Sequence, residues 1–494
     1  MKSKSLNPTP WEFPRLWAPS AGAQVCLLKF RLDSVPIQAK ICSQGYPFHA
    51  LYLNDEFVGS DEFAFVTEYD IKSKLRKGEN ELKALLVSEG RNRWSSNGVK
   101  DHSVDEETSW FSVSSSGLRI DLSTRNPDWH WVADDPLTDS GIAICLRGTP
   151  EEPWDGNGAQ YREVPLRTCY PTGVMAVSWR DAGELFPKGD AVIPYRAGEQ
   201  EPFEGEVIFD FGVETLGYLE LEIESQVDCD ITLACDESMI GFIHEYTWQG
   251  WNRFRVKKGS NRIVDPSRKG FRYARISTEH GGRLVVKSIL NHQPVREFRN
   301  RGFFKCSDEF LNRVNEVSCH TVELCAQKFL EDGIKRDRLC WTGDLRPEAL
   351  VMYTQLGETD IVRSSLYDFA RHTNEHGVIQ PSFPWKTGWV MADYVMWWII
   401  SLYEYYQYTG DIKTLRELEP VAREQEKWLK ERVDERGLLI ARAEYDAPIT
   451  CWSSRKREGY TAYHNLLWHH TRHCLMERVQ FSGSNVVFRC CECQ

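Results

Sequence analysis

Near residue 305 the sequence changes its period, and no single layer architecture fits both sides of that change. Before it the text is strand-like. "FHALYLNDEFVG" (48–59) alternates around Asn54-Asp55, which predicts a tight hairpin. "YDIKSKLRKGENELKALLV" (69–87) places a turn at Lys77-Gly78-Glu79-Asn80 between apolar runs. A second strand-rich block follows in "GEVIFDFGVETLGYLELEIES" (205–225), "DITLACDES" (230–238), "FRYARISTE" (271–279) and "RLVVKSIL" (283–290). Short strands with frequent turn residues favour sandwiches. The Pro- and Gly-bearing run "RGTPEEPWDGNGAQ" (147–160) predicts the boundary between two such units.

After residue 305 apolar residues recur at helical spacing. Ser307 is placed to cap a helix whose buried face would be Phe310, Val314, Val317 and Leu324. Pro347 suits the first position of the next helix, and 360–372 gives a third. A fourth runs from Asp393 to Thr409 and stops at Gly410. The fifth, 411–432, should break or kink at Pro420, and 461–478 makes a sixth. Beyond about Val479 the spacing decays, ending in Cys490, Cys491 and Cys493, as a misread or truncated terminus would. At 494 residues, length alone suggests about three domains: two β units (1–150 and 151–300) and a helical one (301–494).

Composition narrows the function classes. A net charge of −12 without a basic stripe argues against a nucleic-acid partner, since that affinity rests on clustered Lys and Arg. The most apolar helical run, "VMWWIISL" (395–402), is too short for a bilayer, and the first residues hold no run of signal-peptide length. Most of the 15 cysteines are scattered singly, as thiols in a reducing compartment would be. These features predict a soluble, cytoplasmic protein. His469 and His473 could share a helix face, but no C-x2-C pair or HExxH motif accompanies them, so no metal or cofactor is expected. Walker A, G-x-S-x-G and dinucleotide fingerprints are absent too.

One stretch, "DGIKRDRLCWTGDLRPE" (332–348), crowds three aspartates, a glutamate and four basic side chains around a tryptophan. As a continuous helix it would set Asp332 well off the face shared by Asp337 and Asp344, and Gly333, Gly343 and Pro347 oppose it. A loop is the better reading. It is either a solvated loop, in which Lys335, Arg336 and Arg338 pair with the aspartates, or a site.

The motif resembles the signature of the bacterial and fungal α-L-rhamnosidases, glycoside hydrolase family 78, in the six-hairpin glycosidase group. The matching positions are Asp332, Arg336, Asp337, Trp341, Gly343 and Asp344. "WKTGWVMADYVMWWIISLYEYYQYTGD" (385–411) and "FDFGVETLGYLELEI" (209–223) are similar to that family as well. The resemblance covers roughly 200–435 well and 1–200 loosely. It implies β-sandwich modules, the first of galactose-binding-like type, followed by an all-α (α/α)6 toroid that is only about half present here. It also implies release of a terminal rhamnose from a rhamnose-containing glycoside, with inversion. Asp337 matches the general acid, Asp332, Arg336 and Asp344 match hydroxyl ligands, and Trp341 an aromatic wall. Asp393 is a further ligand candidate, and Trp389, with Trp385, either lines the cleft or packs. Trp397, Trp398 and Ile399 read as helix core.

Two departures from the family stand out. Its proton donor is usually glutamate, one methylene longer than Asp337, and its general base lies in a later half of the barrel with no counterpart here. Two other classes remain open: a non-catalytic carbohydrate-binding protein, and a polysaccharide lyase or unsaturated-sugar hydrolase on a related toroid.

Overall fold

The structure, a computed structural model, describes residues 16–17, 23–46, 48–61, 66–87, 110–132, 135, 143–144, 160–162, 164–177, 193–198, 203, 205–242, 250–278, 283–336, 338–384, 390–442 and 459–479. A mostly β N-terminal region is followed by a helical one. Two compact units result: residues 1–296 with 333–337, and residues 297–332 with 338–494. No helix among the described residues is long and apolar enough to cross a membrane.

The β unit begins as a sandwich. One five-stranded sheet orders its strands 16–17, 110–116, 40–46, 66–70 and 160–162; the other runs 56–61, 49–53, 78–87, 23–32 and 130–132. Their inner faces share one core of Leu28, Phe30, Ile41, Leu51, Leu82, Phe111 and Val113. The hairpin expected at Asn54-Asp55 forms between His49–Leu53 and Glu56–Asp61, with both turn residues at positive φ. The turn expected at residues 77–80 lies earlier, at 72–77. Gly78 instead opens the strand Gly78–Val87, whose length is drawn out by ten paired positions along Ala23–Leu32.

The second β block is built on one long strand, Glu206–Ser225. Its first part pairs with Lys269–Thr278 and its second with Gly259–Val264 and Leu284–Pro294. The register slips between Asp210 and Thr215, where Gly212 takes φ +84°. Gly217 permits close approach, because a Cβ there would lie 2.2 Å from Asn291 Oδ1. Of the run 147–160, only Gln160 lies within the described residues. It starts the strand Gln160–Arg162, which pairs with Val66–Glu68, whereas Ala143–Ile144 pairs with Asn252–Arg253.

The slipped segment also gathers charge. Arg272 grips the Asp210 carboxylate with Nε at 2.8 Å and Nη2 at 2.9 Å. Burial pushes the nearby Glu214 carboxyl from 4.5 up to about 8, with Glu237 and Asp236 adding to the rise and Lys335 and Arg272 opposing it. Folding therefore takes up a proton between those two values, and stability present below pH 4.5 is lost as pH rises towards 8. The ceiling is about 1.4 kcal/mol per pH unit, and solvent at this part-exposed group lowers it. Denaturant titrations should show the chain about 1–2 kcal/mol weaker at pH 8 than at pH 5. Glu214→Gln should flatten that difference.

The helical unit contributes six α-helices among the described residues: α1 Glu309–Cys325, α2 Thr342–Val351, α3 Asp360–Arg371, α4 Ala392–Thr409, α5 Ile412–Lys430 and α6 Ala462–Val479. Four departures from the sequence reading are instructive. The cap of α1 is Asp308, not Ser307, its carboxylate accepting from the amides of Phe310 and Leu311. Phe310, Val314 and Val317 are 74%, 45% and 47% exposed, so the helix packs through Val322, Leu324 and Cys325 in its last turns. Helix α2 begins at Thr342 with Pro347 inside it, because the two-residue strand Cys340–Trp341, paired with Ser382–Phe383, fixes where the chain can turn. Pro420 does not break α5, whose buried stripe Leu415, Leu418, Ala422 and Leu429 runs past it. As expected, α4 ends on Gly410 at φ +69°.

Candidate active site

The loop expected over 332–348 is present at residues 332–336 and 338–339, but Cys340–Trp341 is a short strand and the chain is helical from Thr342. The loop's neck is closed by two hydrogen bonds: the Asp332 amide donates to the Leu339 carbonyl at 2.8 Å, and the Leu339 amide to Asp332 Oδ1 at 3.1 Å. Asp332 is therefore partly spent on holding its own loop. Arg338, between them, is buried at φ +50°, a left-handed conformation that is uncommon for a branched-chain-free but bulky residue. Arg336 is exposed, and Lys335 pairs with Asp236 of the β unit. Asp337 and Trp389, with Trp385, lie outside the described residues.

Trp341 is buried at the entry to α2, and its ring meets Tyr394 edge-on, centroids 6.0 Å apart. Gly343 makes room for that contact, since a Cβ there would sit 2.8 Å from Tyr394 Cζ. Gly343→Ala gains about 1 kcal/mol of helix propensity. Overpacking against a rigid ring costs about 1–3 kcal/mol, so the net effect should be a lower melting temperature of the helical unit together with altered tryptophan fluorescence.

Asp344 lies in the first turn of α2, where a carboxylate favours the helix dipole. One turn further, Glu348 buries its Oε2. Burial, then the charges of Asp344, Asp332 and Glu331, push its carboxyl well above the usual range, with the Cys325 thiol opposing as a donor. The charges of Asp332 and Asp344 thus both favour the neutral form of Glu348. Burial, first of all, pushes the Cys340 thiol well above its usual range, which disfavours the thiolate.

Asp393 is 1% exposed at the start of α4. Its Oδ1 accepts from the Tyr394 amide at 3.0 Å and its Oδ2 from the Tyr463 hydroxyl at 3.2 Å, which in turn accepts from Trp397 Nε1 at 3.2 Å. Asp393 therefore joins α4 to α6, a structural duty alongside any contact with sugar. Trp398 and Ile399 are core, as expected, while Trp397 is half-buried beneath the Arg346 guanidinium, 5.3 Å from its ring centre. His469 and His473 are exposed on α6, and Cys490, Cys491 and Cys493 lie outside the described residues. Sequence reasoning missed Glu348, Arg338 and Tyr463. Only Glu348 carried a signal, the four-residue step from Asp344 along a helix.

Carboxylates and an aromatic side chain are thus collected where α2 begins, in the helical unit. Residues 299–447 match the family model of the bacterial α-L-rhamnosidase 6 hairpin glycosidase domain. Over those residues the chain is similar to the α-L-rhamnosidases that the model describes. It is similar to an α-L-rhamnosidase of Formosa agariphila, 24% identical over 347 residues, which cover 62% of this chain and 35% of that protein. The chain thus spans about a third of that relative's length. Among solved structures it resembles the family 78 rhamnosidase of Bacillus sp. GL1, with a TM-score of 0.72, 16% identity, and coverage of 94% of this chain and 74% of that one. It also resembles a Klebsiella oxytoca rhamnosidase with rhamnose bound, with a TM-score of 0.56, 25% identity, and coverage of 64% and 66% respectively.

Proposed function

We propose that the chain acts on terminal α-L-rhamnosides, as a glycoside hydrolase working with inversion. What supports the reading is the match of residues 299–447 to a rhamnosidase domain, within which Asp332, Trp341 and Asp344 lie. A sugar ring offers hydroxyls to charged acceptors and a C–H face to an aromatic wall, and those residue types are gathered here. In this reading Asp332, Arg336 and Asp344 bind hydroxyls, Trp341 backs the ring, and Asp337 donates the proton to the glycosidic oxygen. Asp393 and Trp389 are further candidates for contact with the sugar. Inversion also needs a second, ionised carboxylate about 6.5–9.5 Å from the donor, to activate water on the opposite face. Asp332 and Asp344 are assigned as ligands, not as that base. We read the six helices as part of an (α/α)6 toroid, in keeping with the six-hairpin description of the matched family.

The test is incubation with a chromogenic aryl α-L-rhamnoside, beside a thermal melt with and without free rhamnose. Release of the aryl alcohol together with rhamnose-dependent stabilisation is expected. Stabilisation without release would replace hydrolysis by a binding role. Neither response would end the rhamnoside reading.

A further inference from the structure

The motif loop is shared between the two units. Its neck and flanks belong to the helical unit, but residues 333–337 belong with the β unit. Two contacts tie them there. Lys335 Nζ lies 3.0 Å from Asp236 Oδ1, and Asp236 is only 2% exposed at the end of the strand Cys229–Asp236. That carboxylate is itself held: the Ser238 amide donates to it at 3.2 Å, and the turn Met239–Phe242 wraps it so closely that a Cβ on Gly241 would lie 2.1 Å from its carbon. Beside the ion pair, Ile334 is buried, and its carbonyl oxygen would lie only 2.6 Å from a Cβ on Gly270.

We propose that Lys335 and Asp236 are positioning residues, whose ion pair, with Ile334 seated on Gly270, fixes the segment 333–336 and so the place from which Arg336 reaches sugar. A buried carboxylate with an ammonium against it is costly to separate, because the charge left behind has no solvent to compensate it. An exposed pair would not suffice, since it contributes little. The pair therefore acts as a clamp on a loop that has no regular secondary structure of its own. This inference deepens the rhamnosidase reading and rests on it for the role of Arg336, but not for the clamp itself.

The experiment separates the two. Hydrogen–deuterium exchange of the peptide spanning 332–339 is compared in the parent chain, Asp236→Asn, Lys335→Met and Lys335→Arg, alongside kcat/KM on an aryl α-L-rhamnoside and the melting temperature. Expected are exchange about tenfold faster in Asp236→Asn and Lys335→Met and kcat/KM about 10–100-fold lower, with the melting temperature lowered more by Lys335→Met, which strands the Asp236 charge, than by Asp236→Asn, which removes it. Lys335→Arg should recover most of both. Unchanged exchange would overturn the clamp. Faster exchange with unaltered kcat/KM would overturn the positioning role. A parent chain that neither turns over the rhamnoside nor responds to rhamnose would instead refute the functional reading, while the exchange data still decide the clamp.

Discussion

Asp337→Asn should lower turnover of an alkyl or sugar-linked α-L-rhamnoside by about 10²–10⁴-fold while leaving rhamnose-dependent stabilisation largely intact. The size of the loss depends on the leaving group. An alkoxide is a poor leaving group and departs only as it is protonated, so it needs the acid at position 337. A nitrophenolate is stable without that proton, and the same variant should lose far less on the nitrophenyl rhamnoside. Equal losses on the two substrates would show that Asp337 is not the proton donor. Asp337→Glu, one methylene longer, should retain turnover if the loop can accommodate the added reach. Asn cannot donate a proton at any pH, so the defect should not be relieved in acid.

Trp398→Ala should leave the helical unit mostly unfolded. Trp398 is 0% exposed in the middle of α4, and its Nε1 donates to the Leu366 carbonyl of α3 at 3.2 Å. Removing a buried indole costs about 3–5 kcal/mol in lost burial and cavity. Loss of the indole hydrogen bond to the Leu366 carbonyl adds about 1 kcal/mol. A domain holds only about 5–15 kcal/mol in total, so the sum approaches its whole margin. Urea unfolding followed by far-ultraviolet circular dichroism should show the helical transition moved to much lower denaturant or lost. Trp398→Phe, which keeps much of the volume but not the donor, should fall between the two. A melt of Trp398→Ala close to the parent's would mean that α3 and α4 are not joined as described.

What could be read from the sequence was local. Asn54-Asp55 specifies its own turn, because both residues tolerate positive φ, and Gly410 ends α4 for the same reason. Periodicity placed all six described helices to within a few residues, except where tertiary pairing intervened. Helix α2 starts early because Cys340–Trp341 is held by Ser382–Phe383, a partner that no local pattern names. The face of α1 was misjudged because periodicity finds an apolar stripe but cannot say what covers it. At the site, the spacing in 332–344 marked Asp332, Trp341 and Asp344. The left-handed Arg338, the Tyr463 hydroxyl on Asp393 and the Lys335 pair with Asp236 depend on contacts distant in sequence, and a single chain of letters carries no trace of them.

The allocation of residues 333–337 to the β unit has a consequence for anyone dividing this protein. A cut placed after residue 296, where the text turns helical, would keep the entire acidic motif on one fragment and look harmless. That fragment would nevertheless carry Lys335 and Ile334 without the shelf they rest on. Chimeras that exchange the helical part between relatives should accordingly carry their own strand ending at Asp236 and their own Gly270 with them, so that Lys335 and Ile334 are inherited together with their partners.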